Sequence, residues 1–293
     1  MSQISVAIVG GDLRFVRLSQ ILCKEGFNVS IYGLCHPDIP KEAHICASLD
    51  ELKDIPYIIG PIPFSKDNKC VFTSMCNTYI PLEQFFRVAS NSFVLGSVLN
   101  PTLLESFNKH HIRYCDIMKM NEIAILNAIP TAEGAIQYAM QNSEITLHNS
   151  NCLVMGFGRC GKILAHKLHG LGAKVAVEAR STTDLAYIST YGYEPIPLKE
   201  MTSHLNRFDF IFNTIPVVLL NKTEIDAFNP EVVYIELASI PGGIDKVYCQ
   251  EKGILHIPAP SLPGIVAPRS AASILYQCLL LILRDQGANL WKT

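Results

Sequence analysis

The sequence predicts an α/β protein of two parallel-sheet domains, Rossmann-like or flavodoxin-like, with an interdomain cleft. Three observations predict it. The chain has 293 residues, more than one ordinary compact domain. Two separate series, one starting at Ile4 and one at Asn151, pass from a short apolar run through glycine into a segment of helical period. Hydrophobic residues make up 49% of the chain and charged ones only 17%, as strands buried on both faces require.

In the first series, residues 4–9 read as a buried strand, 13–24 as a helix and 29–32 as a second strand. Short apolar runs at 57–59, 71–73 and 93–95 extend the sheet. Residues 1–120 form this N-terminal, substrate-side domain. Its Gly10-Gly11 pair lacks the downstream glycine of a phosphate fingerprint and reads as a plain strand-to-helix turn. Residues 121–145 read as a linking helix, in which Pro130 is expected to kink or interrupt the backbone hydrogen bonding. The second series, 146–265, is the dinucleotide-binding domain, and 266–293 is a C-terminal helix expected to pack back towards the N-terminal domain.

Composition narrows the function. Lys plus Arg number 24 against 26 Asp plus Glu, and no long basic run occurs, which argues against a nucleic-acid partner. The densest basic cluster, His110, His111 and Arg113, reads as a solvated helix end. Ten scattered cysteines without a Cys-x-x-Cys pair read as free thiols, and no metal site is expected. The N-terminus resembles no export signal, and the apolar run at 275–283 is too short to span a bilayer, so no membrane is expected and a cytoplasmic location is.

The chemistry concentrates after the strand at 152–155, which runs into Gly156-Phe157-Gly158-Arg159-Cys160-Gly161 and then a helix. Gly156 permits a tight turn, Gly158 lets the backbone approach a pyrophosphate, and Gly161 lets the helix lie close to the strand. The phosphates then meet free N–H groups at the positive end of the helix dipole. At the end of the next strand, enzymes that use NAD place a carboxylate for the ribose hydroxyls. Spacing from Gly161 puts Ala179 there, followed by Arg180 and Ser181, a cation and a hydroxyl suited to a 2′-phosphate. NADP is therefore the expected cofactor, with Glu178 as a complication: pointing at the ribose, it would admit NAD. Asn213-Thr214-Ile215-Pro216 and Leu237-Ala238-Ser239 follow two further strands and are expected to line the nicotinamide half.

Several segments together resemble the dipicolinate synthase A-subunit family, over nearly the whole chain. They are residues 6–12, 127–134, 156–161, 179–181, 213–216, 237–239, 241–243 and 262–268. The resemblance implies NADP-dependent oxidation of a dihydrodipicolinate-type intermediate of the lysine and diaminopimelate branch to pyridine-2,6-dicarboxylate. It also implies action in the mother cell of a sporulating bacterium and a flavoprotein-like second subunit; a homo-oligomer is compatible with it. Ile240 stands where a basic residue is expected in that family, which leaves Arg269 as the candidate for one substrate carboxylate.

Aromatising a dihydropyridine releases a hydride and a proton, so positioning over the nicotinamide is the main requirement. Asn100, Thr131 and Glu133, with Ser239 and Arg269, are expected to hold the dicarboxylate. Glu133 would take the proton, unless it is a buried structural residue capping the helix after Pro130. His148 and His256 are set aside as bases, the one at the wrong end of its strand and the other inside an apolar strand. The rival readings are another NADP-dependent dehydrogenase of 2-hydroxy-acid type and a non-catalytic NADP-sensing module.

Overall fold

The computed structural model describes residues 3–285, which fall into two compact units: the first comprises residues up to 126 together with those from 263 onward, the second residues 127–262. The last part of the expected C-terminal helix, residues 286–293, lies outside the described residues.

The first unit contains β1 (Ser5–Val9), α1 (Leu13–Lys24), β2 (Asn28–Tyr32), β3 (His44–Ile45), β4 (Tyr57–Ile59), α2 (Leu82–Val88), β5 (Phe93–Gly96), α3 (Pro101–Lys109) and β6 (Arg113–Asp116). Its six parallel strands lie in the order β3-β2-β1-β4-β5-β6, the dinucleotide-fold order and not that of a flavodoxin. Successive residues of β1 go to opposite faces. Val6 and Ile8 join Phe15, Leu18 and Leu22 of α1 in one core cluster, whereas Ala7 and Val9 join Phe64, Phe85, Phe86 and Phe107 in another. Asp12 caps α1 by accepting from the Arg14 backbone N–H at 3.1 Å.

The run at 71–73 is not a strand. Gly11 N donates to Phe72 O at 2.9 Å, Ser74 N donates to Gly11 O at 2.9 Å, and only Thr73 makes an isolated bridge. This close approach explains the two glycines: both have positive φ, and a Cβ on Gly10 would collide with the Phe72 carbonyl oxygen. The Gly10-Gly11 turn is thus filled by the chain's own backbone. The basic cluster divides: His110 ends α3 and stacks on Phe86, His111 has positive φ, and Arg113 opens β6.

Helix α4 (Asn121–Gln141) continues through Pro130, so the proline does not end it. Thr131 Oγ1 donates to Asn127 O at 2.8 Å, which puts a side-chain donor beside the site where proline withholds its own N–H.

The second unit continues with β7 (Asn151–Met155), α5 (Arg159–Gly170), β8 (Lys174–Ala179), α6 (Thr182–Thr190), β9 (Glu194–Pro197), β10 (Phe210–Asn213), α7 (Lys222–Asp226), β11 (Val233–Glu236), α8 (Lys246–Glu251) and β12 (Leu255–Pro258). Its sheet repeats the same order as β9-β8-β7-β10-β11-β12, all parallel. α9 (Leu262–Val266) and α10 (Pro268–Asp285) complete the described residues. α10 belongs to the first unit, where Ala272, Leu275, Cys278, Leu279 and Ile282 share the core cluster of α1. No described helix is long and apolar enough to cross a membrane.

Candidate functional site: a dinucleotide pocket at the strand ends of the second unit

In parallel register, Ile196, Glu178, Met155, Asn213 and Glu236 form one row across β9, β8, β7, β10 and β11, near the carboxyl ends of the strands. Ligands of open α/β sheets bind beyond such ends, at the place where strand order reverses, here between β7 and β10. A pocket of about 660 Å³ opens there, lined by Gly156, Phe157, Gly158, Glu178, Ala179, Arg180, Ser181, Asp184, Thr214, Ile215 and Pro216. Its size is that of a small-molecule site.

The three glycines are held for different reasons. Gly156 has φ +92°, and a Cβ there would press on Thr214 Oγ1 at 2.7 Å. A Cβ on Gly161 would strike the Gly156 carbonyl oxygen, so only glycine lets α5 lie this close to β7. Gly158 has nothing within 4 Å of its Cβ position, and its exposed backbone opens α5 with no side-chain cap. The first-turn N–H groups of α5 are thereby presented at an open surface, the arrangement that accepts a pyrophosphate.

At the other end of the pocket, Ser181 caps α6, its Oγ accepting from Asp184 N at 3.4 Å, and Arg180 is exposed just before it. No carboxylate stands at Ala179. Asp184, on the first turn of α6, escaped the sequence reading, although Ser181-x-x-Asp184 is the spacing of a capping pair.

Other expected site residues stand elsewhere. Asn213 is fully buried: its Nδ2 donates to Ile215 O at 2.9 Å and Glu236 Oε1 at 2.7 Å, and its Oδ1 accepts from Ile215 N at 3.0 Å. Its amide is spent inside the protein and is not available to a ribose or carboxamide. Thr214 does line the pocket, but its hydroxyl donates to Met155 O at 2.8 Å. Leu237, Ala238 and Ser239 are not among the lining residues. They follow a strut built on Glu236, whose carboxylate also accepts from Gly243 N at 2.8 Å, Ala238 N at 3.1 Å and Tyr234 Oη at 3.2 Å. Arg159 and Cys160 open α5 outside the lining set; burial pushes the Cys160 thiol up to about 11.

The substrate-side candidates fall in both units: Asn100 and Arg269 in the first, Thr131, Glu133 and Ser239 in the second. Asn100 is a cap, its Oδ1 accepting from Leu103 N at 3.0 Å and its Nδ2 donating to Asn68 Oδ1 at 2.8 Å. Thr131 returns its hydroxyl to its own helix. Glu133 is neither buried nor a cap. Its side chain is 56% exposed and pairs with Lys167 at 2.8 Å, so its carboxylate is engaged by that ammonium. Ser239 is exposed, and Arg269 is exposed on the first turn of α10 with no ion-pair partner among the described residues.

Outside the pocket, ligand atoms of His44, Cys46 and Glu51 lie within 4.8 Å of one another. Two of the three are tied by other bonds: His44 pairs with Glu51 at 2.8 Å, and Glu51 accepts from the Ala47 and Ser48 N–H groups.

The comparisons with known proteins agree with this geometry. Residues 5–118 match the family model of the dipicolinate synthase A-subunit N-terminal domain, and residues 120–239 that of the D-isomer specific 2-hydroxyacid dehydrogenase NAD binding domain. The second unit therefore carries a nicotinamide-dinucleotide domain of dehydrogenase type. The dipicolinate synthase A-subunit of Bacillus subtilis (strain 168) is 32% identical over 99% of both chains. The crystal structure of the dipicolinate synthase A-subunit from Bacillus halodurans superposes with a TM-score of 0.87 at 32% identity, covering 96% of this chain and 99% of that one. A transhydrogenase from Sinorhizobium meliloti, at 14% identity and a TM-score of 0.69 over 97% of this chain and 94% of that one, shares the fold. With a relative of that identity matched from end to end and its first domain matched separately, the chain belongs to the dipicolinate synthase A-subunit family.

Proposed function

We propose that the chain is the NADP-dependent subunit of a dipicolinate synthase. In this reading it oxidises a dihydrodipicolinate-type intermediate of the lysine and diaminopimelate branch to pyridine-2,6-dicarboxylate, in the mother-cell cytoplasm during sporulation and beside a flavoprotein-like second subunit. Family membership supports the substrate and the partner.

The observation that carries the cofactor choice is the end of β8: Ala179 where a carboxylate would stand, the exposed Arg180 guanidinium beyond it, and Ser181 opening α6. A guanidinium offers a phosphate a fixed fork of donors, and the Ser181 hydroxyl keeps its proton to donate while its oxygen serves the cap. The glycine cradle fits the rest of the dinucleotide, because Gly158 leaves open the space through which a pyrophosphate approaches.

When bound, the nicotinamide supplies the hydride acceptor for a ring carbon of the dihydropyridine. The chain's own work is to hold the partners. The exposed Arg269 guanidinium, which has no ion-pair partner among the described residues, suits one substrate carboxylate and the exposed Ser239 hydroxyl a hydrogen bond to the dicarboxylate, while Glu133, engaged by Lys167, is not given the role of base. The proton released on aromatisation can pass to solvent, and no buried acid–base pair is required.

Titrating purified protein and its Arg180→Ala variant with NADPH and NADH tests the cofactor reading. The wild type is expected to prefer NADPH. The variant should lose about tenfold or more of NADPH affinity, as for a charge-assisted hydrogen bond of about 1.5 kcal/mol or more, with little change for NADH. Equal losses for both dinucleotides would remove Arg180 from the 2′-phosphate.

A further inference from the structure

Two carboxylates stand in the same row of the second sheet and are treated in opposite ways. Glu236, 5% exposed, collects four donors, from Asn213, Tyr234, Ala238 and Gly243. Glu178, 1% exposed, has none: both carboxyl oxygens are buried without a hydrogen-bond partner among the described residues. Its strand neighbours in register, Met155 of β7 and Ile196 of β9, are both apolar and belong to one core cluster with Met201 and Leu205. The Gly156 N–H donates to the Glu178 carbonyl oxygen at 3.1 Å. Yet Glu178 is one of the residues that line the dinucleotide pocket.

Charge arithmetic at the pocket makes this carboxyl consequential. Its wall carries one cation, Arg180, and the carboxylate of Asp184. A charged Glu178 would set two anions against that single cation, beneath a surface that is proposed to receive a 2′-phosphate. An uncharged Glu178 leaves the pair balanced. A charge buried under the wall is poorly screened, so its field reaches a bound phosphate without any direct contact.

We infer that Glu178 is a specificity-determining residue of the pocket, present as an uncharged acid when the 2′-phosphorylated dinucleotide binds, and that its ionisation shifts the preference towards the unphosphorylated one. The inference rests on the proposed dinucleotide site and deepens it. The burial of the carboxyl pushes its pKa above the ordinary carboxylate range, an effect that the nearby Gly156 backbone N–H and then the Arg180 charge only partly oppose. Cofactor choice then has two parts. Arg180 attracts the phosphate, and the proton on Glu178 keeps the wall from repelling it.

The experiment is a titration with NADPH and with NADH, by nucleotide fluorescence, on the full chain and on Glu178→Gln, from about pH 5.5 to 8.5. The 2′-phosphate itself ionises near pH ~6 and affects both proteins alike, so the comparison between them isolates the carboxyl. In the wild type, the ratio of the NADPH Kd to the NADH Kd should rise at least tenfold more across the range than in the variant, whose amide stays uncharged throughout. Identical ratios at every pH in the two proteins would overturn the inference, as would a variant that loses NADPH at the low end of the range. Should the variant fail to fold, 13C titration of glutamate δ-carboxyls in the wild type decides. A buried carboxyl that ionises above the ordinary range and moves further up on NADPH addition supports the inference, and one already ionised at the ordinary value overturns it. A wild type that binds neither dinucleotide refutes the site itself, which is a distinct result.

Discussion

Replacing Gly158 by alanine separates the pocket's work on its ligand from its work on the fold. A Cβ at Gly158 meets nothing within 4 Å, and the residue's φ of −79° is open to alanine. Alanine is a poorer helix N-cap than glycine by roughly 0.5–1 kcal/mol, but it also restricts the unfolded chain, worth about 0.4–1 kcal/mol the other way. Stability should therefore stay within about 0.5 kcal/mol of wild type. Binding should not. The methyl group occupies the space through which a pyrophosphate reaches the first N–H groups of α5, and each N–H···phosphate bond lost costs about 1.5–3 kcal/mol, or roughly ten- to a hundredfold in Kd. Gly161→Ala is the counterpart: its Cβ strikes the Gly156 carbonyl, and forcing α5 off β7 should cost about 1–3 kcal/mol of overpacking and lower Tm. Thermal denaturation and NADPH titration on both variants provide the assay. A Gly158→Ala protein that binds NADPH as wild type does would refute the placement of the pyrophosphate.

Further outcomes follow from the same geometry. Because burial raises the Glu178 carboxyl, the folded chain holds that proton at pH values where the unfolded chain has released it. Folding stability should fall as pH rises from the ordinary carboxylate value, about 4.3, through the raised one, and Glu178→Gln should flatten that part of the profile in thermal denaturation. Arg269→Ala should raise KM for the dicarboxylate while NADP affinity is unchanged; an unaltered KM removes Arg269 from the site. Glu133→Gln, which loses only a half-exposed ion pair with Lys167, should change stability by less than about 1 kcal/mol and leave kcat unchanged; a large fall in kcat would restore Glu133 as a base.

What could be read in the sequence was local. The helix Leu13–Lys24 and the glycine fingerprint depend on periodicity and on glycine spacing within one strand–turn–helix, and both stand in the structure at those residues. The features that escaped depend on partners far along the chain. Residues 71–73 carry strand-like side chains, but the backbone of Phe72 is taken by Gly11, about sixty residues earlier. β3 is two residues long and could be recognised only beside β2. Asn213 looks like a ligand at a strand end until Glu236 and Ile215 are seen to use its whole amide. Glu133 looks like a candidate base until Lys167 is placed beside it. Glu178 sits one residue before the position at which spacing places the ribose carboxylate, and sequence order cannot tell whether such a side chain is solvated, paired or buried bare.

The central claim, that this chain moves a hydride from a dihydropyridine dicarboxylate to NADP, is tested most directly by absorbance in the reduced-nicotinamide band. Purified protein, NADP and freshly generated dihydrodipicolinate precursor are incubated together, with NAD as the comparison. Growth of the band with NADP, slower with NAD and absent without protein, is the predicted result. A flat trace with both dinucleotides, from protein shown to bind NADPH and repeated with the second subunit present, would contradict it.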